Sequence, residues 1–164
     1  MTPEEAIAWF DSLEPAREQE MLGAWHGSEI STGHAMEGLL VAARWKGKRF
    51  EGPDAVHPLV HDVLFWGERS LNPALLPLRF VTGLPGRDAL LSVAFPLFAP
   101  LLFTRKPKAR LRTLRFRGRE HAAMCYDAKP INDVFAHIDD DNVLGWMDFK
   151  GMEEPYFFKL TRER

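Results

Sequence analysis

The sequence predicts an α+β domain, mainly β, in which an antiparallel meander closes into a barrel or half-barrel capped by an N-terminal helix and a second short helix. Three observations carry that prediction. Apolar and polar residues alternate at period two through the last third of the chain, and the helix-start signals cluster before residue 43. The aromatic content is 12%, with five Trp and 12 Phe, and that much large apolar surface needs an interior or an apolar ligand.

The elements follow in order. Thr2 caps a helix with Pro3 at its first position and Glu5 reaching back, and Ala6, Trp9, Phe10 and Leu13 recur at helical spacing. Pro15 ends or restarts it, Gly23 closes the helical zone, and Trp25 begins a strand. A second helix is predicted from about Gly33 to Ala43, with Met36, Leu39, Leu40 and Ala43 facing the core behind Ser31 and Thr32. Lys46-Gly47-Lys48 reads as a tight turn. The proline-rich middle predicts short strands near 62–66 and 78–82.

The nearly uninterrupted apolar run 89–103 is divided by Pro96 and Pro100 and is too short to span a bilayer, so it is not a transmembrane segment. Three readings stay open: a buried turn-rich unit, a flap over a ligand cavity, or an edge in peripheral contact with a membrane. In the last third, Leu114/Phe116, Ala122/Met124/Tyr126 and Val134/Ala136/Ile138 mark three strands. A strand carrying Trp146 and another at Tyr156–Leu160 complete a five-strand meander, with Asp139–Asn142 and Gly151–Pro155 as turns.

Length and composition, 46% hydrophobic and 27% charged, fit one folded domain over 1–164. The net charge of -2 excludes a globally basic nucleic-acid binder. Residues 105–119 are nevertheless strongly basic and could bind nucleic acid or anionic lipid, but the leading reading is a solvated strand face whose field Asp139–Asp141, Glu153 and Glu154 could offset. The lone Cys125 excludes a disulfide framework and a multi-cysteine zinc site, and with an opening that reads as a helix start it implies a cytoplasmic protein.

Gly-x-Trp-x-Gly at 23–27, Thr32-Gly33-His34 and Trp45-Lys46-Gly47-Lys48-Arg49-Phe50 resemble the N-terminal half of the GXWXG protein family. Arg117-Gly118, Ala123-Met124, Tyr126-Asp127, Pro130-Ile131, Asp133, Phe135, Met147-Asp148 and Phe157-Phe158 resemble its C-terminal portion, a domain of unknown function. Lys46 departs from the aromatic expected there. The resemblance divides the chain into a GXWXG-type segment (1–60), a Pro-rich apolar connection (61–108) and the meander (109–164), and it implies no catalytic residue. A weaker resemblance is to lipocalins and other calycins, in which a Gly-x-Trp after a short helix opens a ligand-holding barrel. It implies that Trp25 closes one barrel end beneath the cation of Arg162.

The chemistry-bearing residues divide into several groups. His57, His61 and Asp62 have a spacing that could hold a metal, but Pro58 and the lack of a Glu at a hydrolase base position favour an ordinary capping pair, so neither metal nor cofactor is expected. Asp127, Asp133 and Asp148 are candidate acid/base carboxylates, where burial beside strand residues would raise a pKa, and Asp148 ranks first. His34, with Lys48 or Arg49, could meet the polar end of a ligand. No nucleophile elbow or phosphate-binding loop is present.

The leading functional expectation is therefore non-covalent binding of a small hydrophobic molecule in a calycin-like barrel. Trp25, Met124, Tyr126, Trp146 and Phe158 are the lining candidates, with His34, Arg49 and Asp148 as polar anchors. The alternative is a cofactor-free isomerase, cyclase or hydrolase acting on a hydrophobic metabolite, with Asp148 or His34 as acid/base. A protein interaction module using 89–103 is the third class.

Overall fold

The computed structural model describes residues 1–63, 66–76 and 87–164. The N-terminal helix α1 (Pro3–Ser12) starts with the reciprocal capping box that the sequence predicts: Thr2 Oγ1 accepts from the Glu5 amide at 3.2 Å, and the Thr2 amide donates to the Glu5 carboxylate at 2.8 Å. A two-residue strand β1 (Glu14–Pro15) and a one-turn helix α2 (Glu18–Met21) follow before the first long strand, β2 (Gly23–Glu29).

The barrel is built from β2, β3 (Trp45–Gly52), β4 (Ala55–Val63), β7 (Ala109–Phe116), β8 (Arg119–Tyr126), β9 (Ile131–His137), β10 (Asn142–Phe149) and β11 (Tyr156–Arg162). Two further strands, β5 (Gly67–Leu71) and β6 (Phe103–Thr104), extend from the β4 side. Every pairing is antiparallel. The chain runs β2–β3–β4, then β7 to β11 as a meander, and β11 pairs back onto β2 with Arg162 opposite Trp25. Contact of β4 with β7 at Val56 and Ala109 closes the circle, and with it the sheet edges a five-strand meander would otherwise leave open.

The two faces of each strand enter different cores. Along β10, Val143, Met147 and Phe149 join the interior, whereas Leu144 and Trp146 point outward. The outward residues meet α1, whose Ala6 and Phe10 are fully buried against Ala123, Val134 and Phe157. Phe10 lies edge-on to Trp146 at 5.3 Å and stacks on His121 at the same separation. Helix α1 thus covers the outer wall, while Met21 of α2 enters the interior core at the Trp25 end.

Several local expectations are revised. The predicted helix 33–43 contracts to α3 (Leu39–Ala42), because Gly33 and Gly38 take φ of +83° and +81°, which interrupt a right-handed helix. The Glu37 carboxylate instead receives the amides of Thr32, Gly33 and His34. Lys46-Gly47-Lys48 lies inside β3 rather than at a turn. A Cβ on Gly47 would sit 1.8 Å from the Trp25 carbonyl, so its lack of a side chain lets the two strands approach. Of the strand expected at 62–66, residues 62–63 are the end of the longer β4, which accommodates Pro58 where the β3–β4 register shifts between Arg49/His57 and Gly47/Val60, and residues 64–65 lie outside the described residues. The strand expected at 78–82 lies outside the described residues.

The apolar run 89–103 forms most of a helix, α4 (Arg87–Phe98), followed by a 3₁₀ turn at Ala99–Leu102. Val93, Leu97 and Leu101 are exposed on it, while Phe95 and Ala99 are buried against the barrel and α3. No helix among the described residues is long and apolar enough to cross a membrane. The basic segment is paired by acids other than those the sequence singled out: Arg110 with Asp127, Arg112 with Asp54, Arg117 with Asp11 and Arg119 with Glu14.

Candidate functional site

The end of the barrel around Trp25 is filled. The Arg162 guanidinium lies 4.2 Å from the Trp25 ring centroid, as the calycin resemblance implies, and donates to the carbonyls of Glu20 and Leu22. The Trp25 indole N–H donates to the Met21 carbonyl at 2.8 Å, leaving no polar atom of that ring unpaired.

Toward the other end the side chains do not meet, and a cavity of about 390 Å³ remains. Its strand walls carry the aromatic rings of Trp45, Tyr126, Tyr156 and Phe158. Its cover comes from Met36 and Leu39 near α3 and from Phe95 and Phe98 of α4. The cover near α3 is tied to the barrel through Glu29, whose carboxylate accepts from the Gly38 amide at 2.9 Å and the Tyr156 hydroxyl at 2.7 Å.

Gly27 explains how Trp45 reaches this wall. A Cβ there would lie 2.2 Å from the Trp45 indole, so the second glycine of the Gly-x-Trp-x-Gly motif makes room for a cavity-lining ring.

Besides the hydroxyl-bearing Tyr126 and Tyr156, the lining includes three polar side chains, Lys48, Asp133 and His61. Lys48 Nζ and Asp133 Oδ2 form a buried ion pair at 2.8 Å, with side chains 3% and 1% exposed. Lys48 also donates to the Pro58 carbonyl at 3.2 Å and faces the rings of Phe158, Trp45 and Tyr126 at 4.9, 5.4 and 5.7 Å. These π faces and the carboxylate replace the water that the ammonium has lost. Burial pushes the Asp133 carboxyl above its ordinary pKa, against the pull of the Lys48 charge. Asp133 Oδ1 has no hydrogen-bond partner among the described residues.

The third polar group is His61. Its Nδ1 lies 2.7 Å from the Ala43 carbonyl, which can only accept, so Nδ1 carries the proton and Nε2 is a bare acceptor in the neutral ring. Burial lowers the His61 pKa to about 4, which keeps that ring neutral near pH 7. Both His61 Nε2 and the Trp45 indole N–H are buried without a partner among the described residues.

The residues singled out in the sequence are distributed as follows. Tyr126 and Phe158 line the cavity. Trp25 fills the closed end, and Met124 is buried in the interior core without reaching the cavity wall. Trp146 packs on the outer wall against α1, and Asp148, on the same outward register of β10, is exposed. Arg49 pairs with Glu68, and Asp127 with Arg110. His34 is buried outside the cavity, its Nδ1 accepting from the Met36 amide and its Nε2 donating to the Glu154 carbonyl. His57 and His61 are both strand residues of β4, and the described residues contain no group of three side chains placed to hold a metal ion.

In the sequence Asp133 and Lys48 stand out less than Asp148 and His34, and no local pattern marks Trp45, His61 or Tyr156 as lining residues. For Asp133 a signal exists: it stands at period two between Ile131 and Phe135, both interior, so the strand's own register places a carboxylate in the core.

Fold and site together define an eight-stranded antiparallel, calycin-like barrel with an apolar internal chamber and a buried ion pair in its wall. Residues 8–63 match the GXWXG protein family and residues 107–162 match a domain of unknown function, DUF4334. The chain belongs to the GXWXG protein family, with the DUF4334 domain as its C-terminal portion. A protein from Thermomonospora curvata of known crystal structure is 33% identical, covering 96% of this chain and 85% of that one, with a TM-score of 0.72. No functionally curated protein matches the chain.

Proposed function

We propose that the protein binds a small, mostly apolar molecule in the barrel cavity, with the Lys48–Asp133 pair as its polar anchor. The observation that carries this is a cavity of about 390 Å³ with an almost wholly apolar lining at one end of a barrel whose other end is filled around Trp25. That volume falls within the range of roughly 300–1,000 Å³ usual for small-molecule sites. Apolar lining of this kind gains dispersion contacts and loses apolar hydration when an apolar molecule seats against it.

Native mass spectrometry of the freshly purified protein tests the reading. The expected result is a fraction carrying a non-covalent small-molecule adduct, lost on denaturation, together with saturable binding of the apolar fluorophore N-phenyl-1-naphthylamine. Neither adduct nor fluorophore binding would overturn it.

A second reading, a cofactor-free acid/base enzyme, is favoured by one observation: two titratable groups, Lys48 and Asp133, meet within hydrogen-bond distance at one cavity. Its acid/base residues would be this pair in place of Asp148 or His34. Turnover of a cavity-bound carbonyl compound that disappears in Asp133→Asn, with binding retained, is the outcome that would establish it.

A further inference from the structure

Helix α4 carries apolar side chains on its outer side as well as its inner one, a pattern that ordinarily belongs to a helix buried all round. Only the inner side is covered. Phe95 and Ala99 are buried against the barrel and α3, whereas Val93, Leu97 and Leu101, spaced four residues apart, are 74–77% exposed. Of the large hydrophobic side chains exposed among the described residues, all but Met1 and Leu22 lie between Val41 and Leu101. They belong to one region: α4 packs on α3, which carries Val41, and the Trp66 ring meets Phe103, next to the 3₁₀ turn, at 5.8 Å. Leu75 and Phe98 are exposed here and line the cavity as well.

Cations border this surface. Arg44 follows Val41, Arg69 follows Trp66, and Arg105 and Lys106 follow Leu101 within a few residues, and all four are exposed. The pairing of Ser70 with Thr104 places Arg69 and Arg105 at adjoining positions of β5 and β6. None of the four forms an ion pair with an acid among the described residues: Glu68 is taken by Lys46 and Arg49, and Asp62, exposed nearby in β4, does not reach them. We propose that this face docks on a lipid bilayer with anionic headgroups, Val93, Leu97 and Leu101 entering the interfacial apolar layer and the four cations meeting the lipid phosphates.

Charge selects this occupant. A second copy meeting through the same patch across a two-fold axis would set these cations against their own counterparts. A bilayer offers hydrocarbon to the apolar stripe and negative charge to its border together, and each Lys or Arg near such a surface contributes about fivefold in affinity. The docking stands on the outer surface and does not depend on the cavity being occupied. It also sets Leu75 and Phe98, which border the cavity, against a phase in which apolar molecules dissolve.

Flotation of the full chain with unilamellar vesicles, phosphatidylcholine alone against a mixture with about one-third phosphatidylglycerol, tests the proposal. At about 0.1 M salt the anionic vesicles are expected to bind at least tenfold more tightly, and at about 0.5 M salt that binding should fall at least fivefold. Val93→Gln/Leu97→Gln and Arg105→Gln/Lys106→Gln should each weaken it at least tenfold, with circular dichroism and N-phenyl-1-naphthylamine affinity as in wild type. Anionic vesicles bound no better than neutral ones, or bound equally by both variants, would overturn the docking. A dimer in sedimentation velocity that Val93→Gln/Leu97→Gln abolishes, with vesicles left unbound, would overturn it in favour of a second copy. Fluorophore binding without vesicle binding would sink the docking and leave the cavity reading intact, and vesicle binding without fluorophore binding would do the reverse.

Discussion

Two aromatic clusters lie on opposite faces of the same barrel wall, and they end differently. On the outside Phe10, Phe116, Trp146 and Phe157 interlock edge to face with neighbouring centroids 4.9–6.1 Å apart, and α1 seals them. On the inside Trp45, Tyr156 and Phe158 are just as buried, yet they border about 390 Å³ of empty space and a charged pair. The outer cluster is what an aromatic-rich sequence does to hold a helix against a sheet. The inner one carries features that stability alone does not require: unfilled volume and orphaned polar atoms.

The contrast can be broken most sharply at the ion pair. Lys48→Met leaves Asp133 buried without its countercharge and should cost about 3–5 kcal/mol in urea unfolding. The double variant Lys48→Met/Asp133→Leu should return to within about 1 kcal/mol of wild type or exceed it. A single variant as stable as wild type would mean that the pair is not buried as described.

The outer cluster should respond in stability alone. Phe10→Ala removes a fully buried ring and should cost about 3 kcal/mol, with the affinity for N-phenyl-1-naphthylamine unchanged within about twofold. Gly27→Ala should do the reverse in emphasis, pushing the Trp45 ring toward the cavity and weakening the fluorophore by about tenfold or more, read by titration.

The pH dependence isolates His61. Its pKa is lowered to about 4 in the folded protein, so its contribution to stability is complete above the ordinary value near 6.5 and is lost as pH falls from there toward 4. The loss amounts to about 3 kcal/mol. Burial raises Asp133 and gives the opposite sign, stability falling as pH rises through its titration, so the measurement is a difference. Wild type minus His61→Asn, followed by urea unfolding from pH 7 to 4, should shrink by about that amount. A flat difference would place His61 in water. The smallest effect is expected from Asp148→Asn, exposed on the outer wall: within about 0.5 kcal/mol in stability, with fluorophore affinity unaltered.

Much of the architecture was legible in the chain itself. The capping box at Thr2, the five-strand meander and the Trp25–Arg162 contact depend on local pattern or on a short motif, and each is found in the structure. Which face of a strand turns inward was less legible. In β10 both registers are apolar, Val143 and Met147 on one and Leu144 and Trp146 on the other, because α1 buries the outer face as fully as the barrel buries the inner. That symmetry led to Trp146 and Asp148 as site candidates. Lys48 and Trp45 were obscured differently: the register shift in β3 lets both reach the cavity from a segment that reads as a turn. His61 was hidden by Pro58, which marks an irregularity within a strand here rather than the start of a helix.

The most direct test of the central claim uses the methionine methyls, which sample both the cavity and its surroundings. With 13C-methyl methionine labelling and N-phenyl-1-naphthylamine as the added molecule, Met36 and Met147, both on the cavity wall, should shift in a saturable manner, and the exposed Met1 should stay in place. Saturable shifts at Met1 with Met36 and Met147 unmoved would contradict a binding chamber inside the barrel.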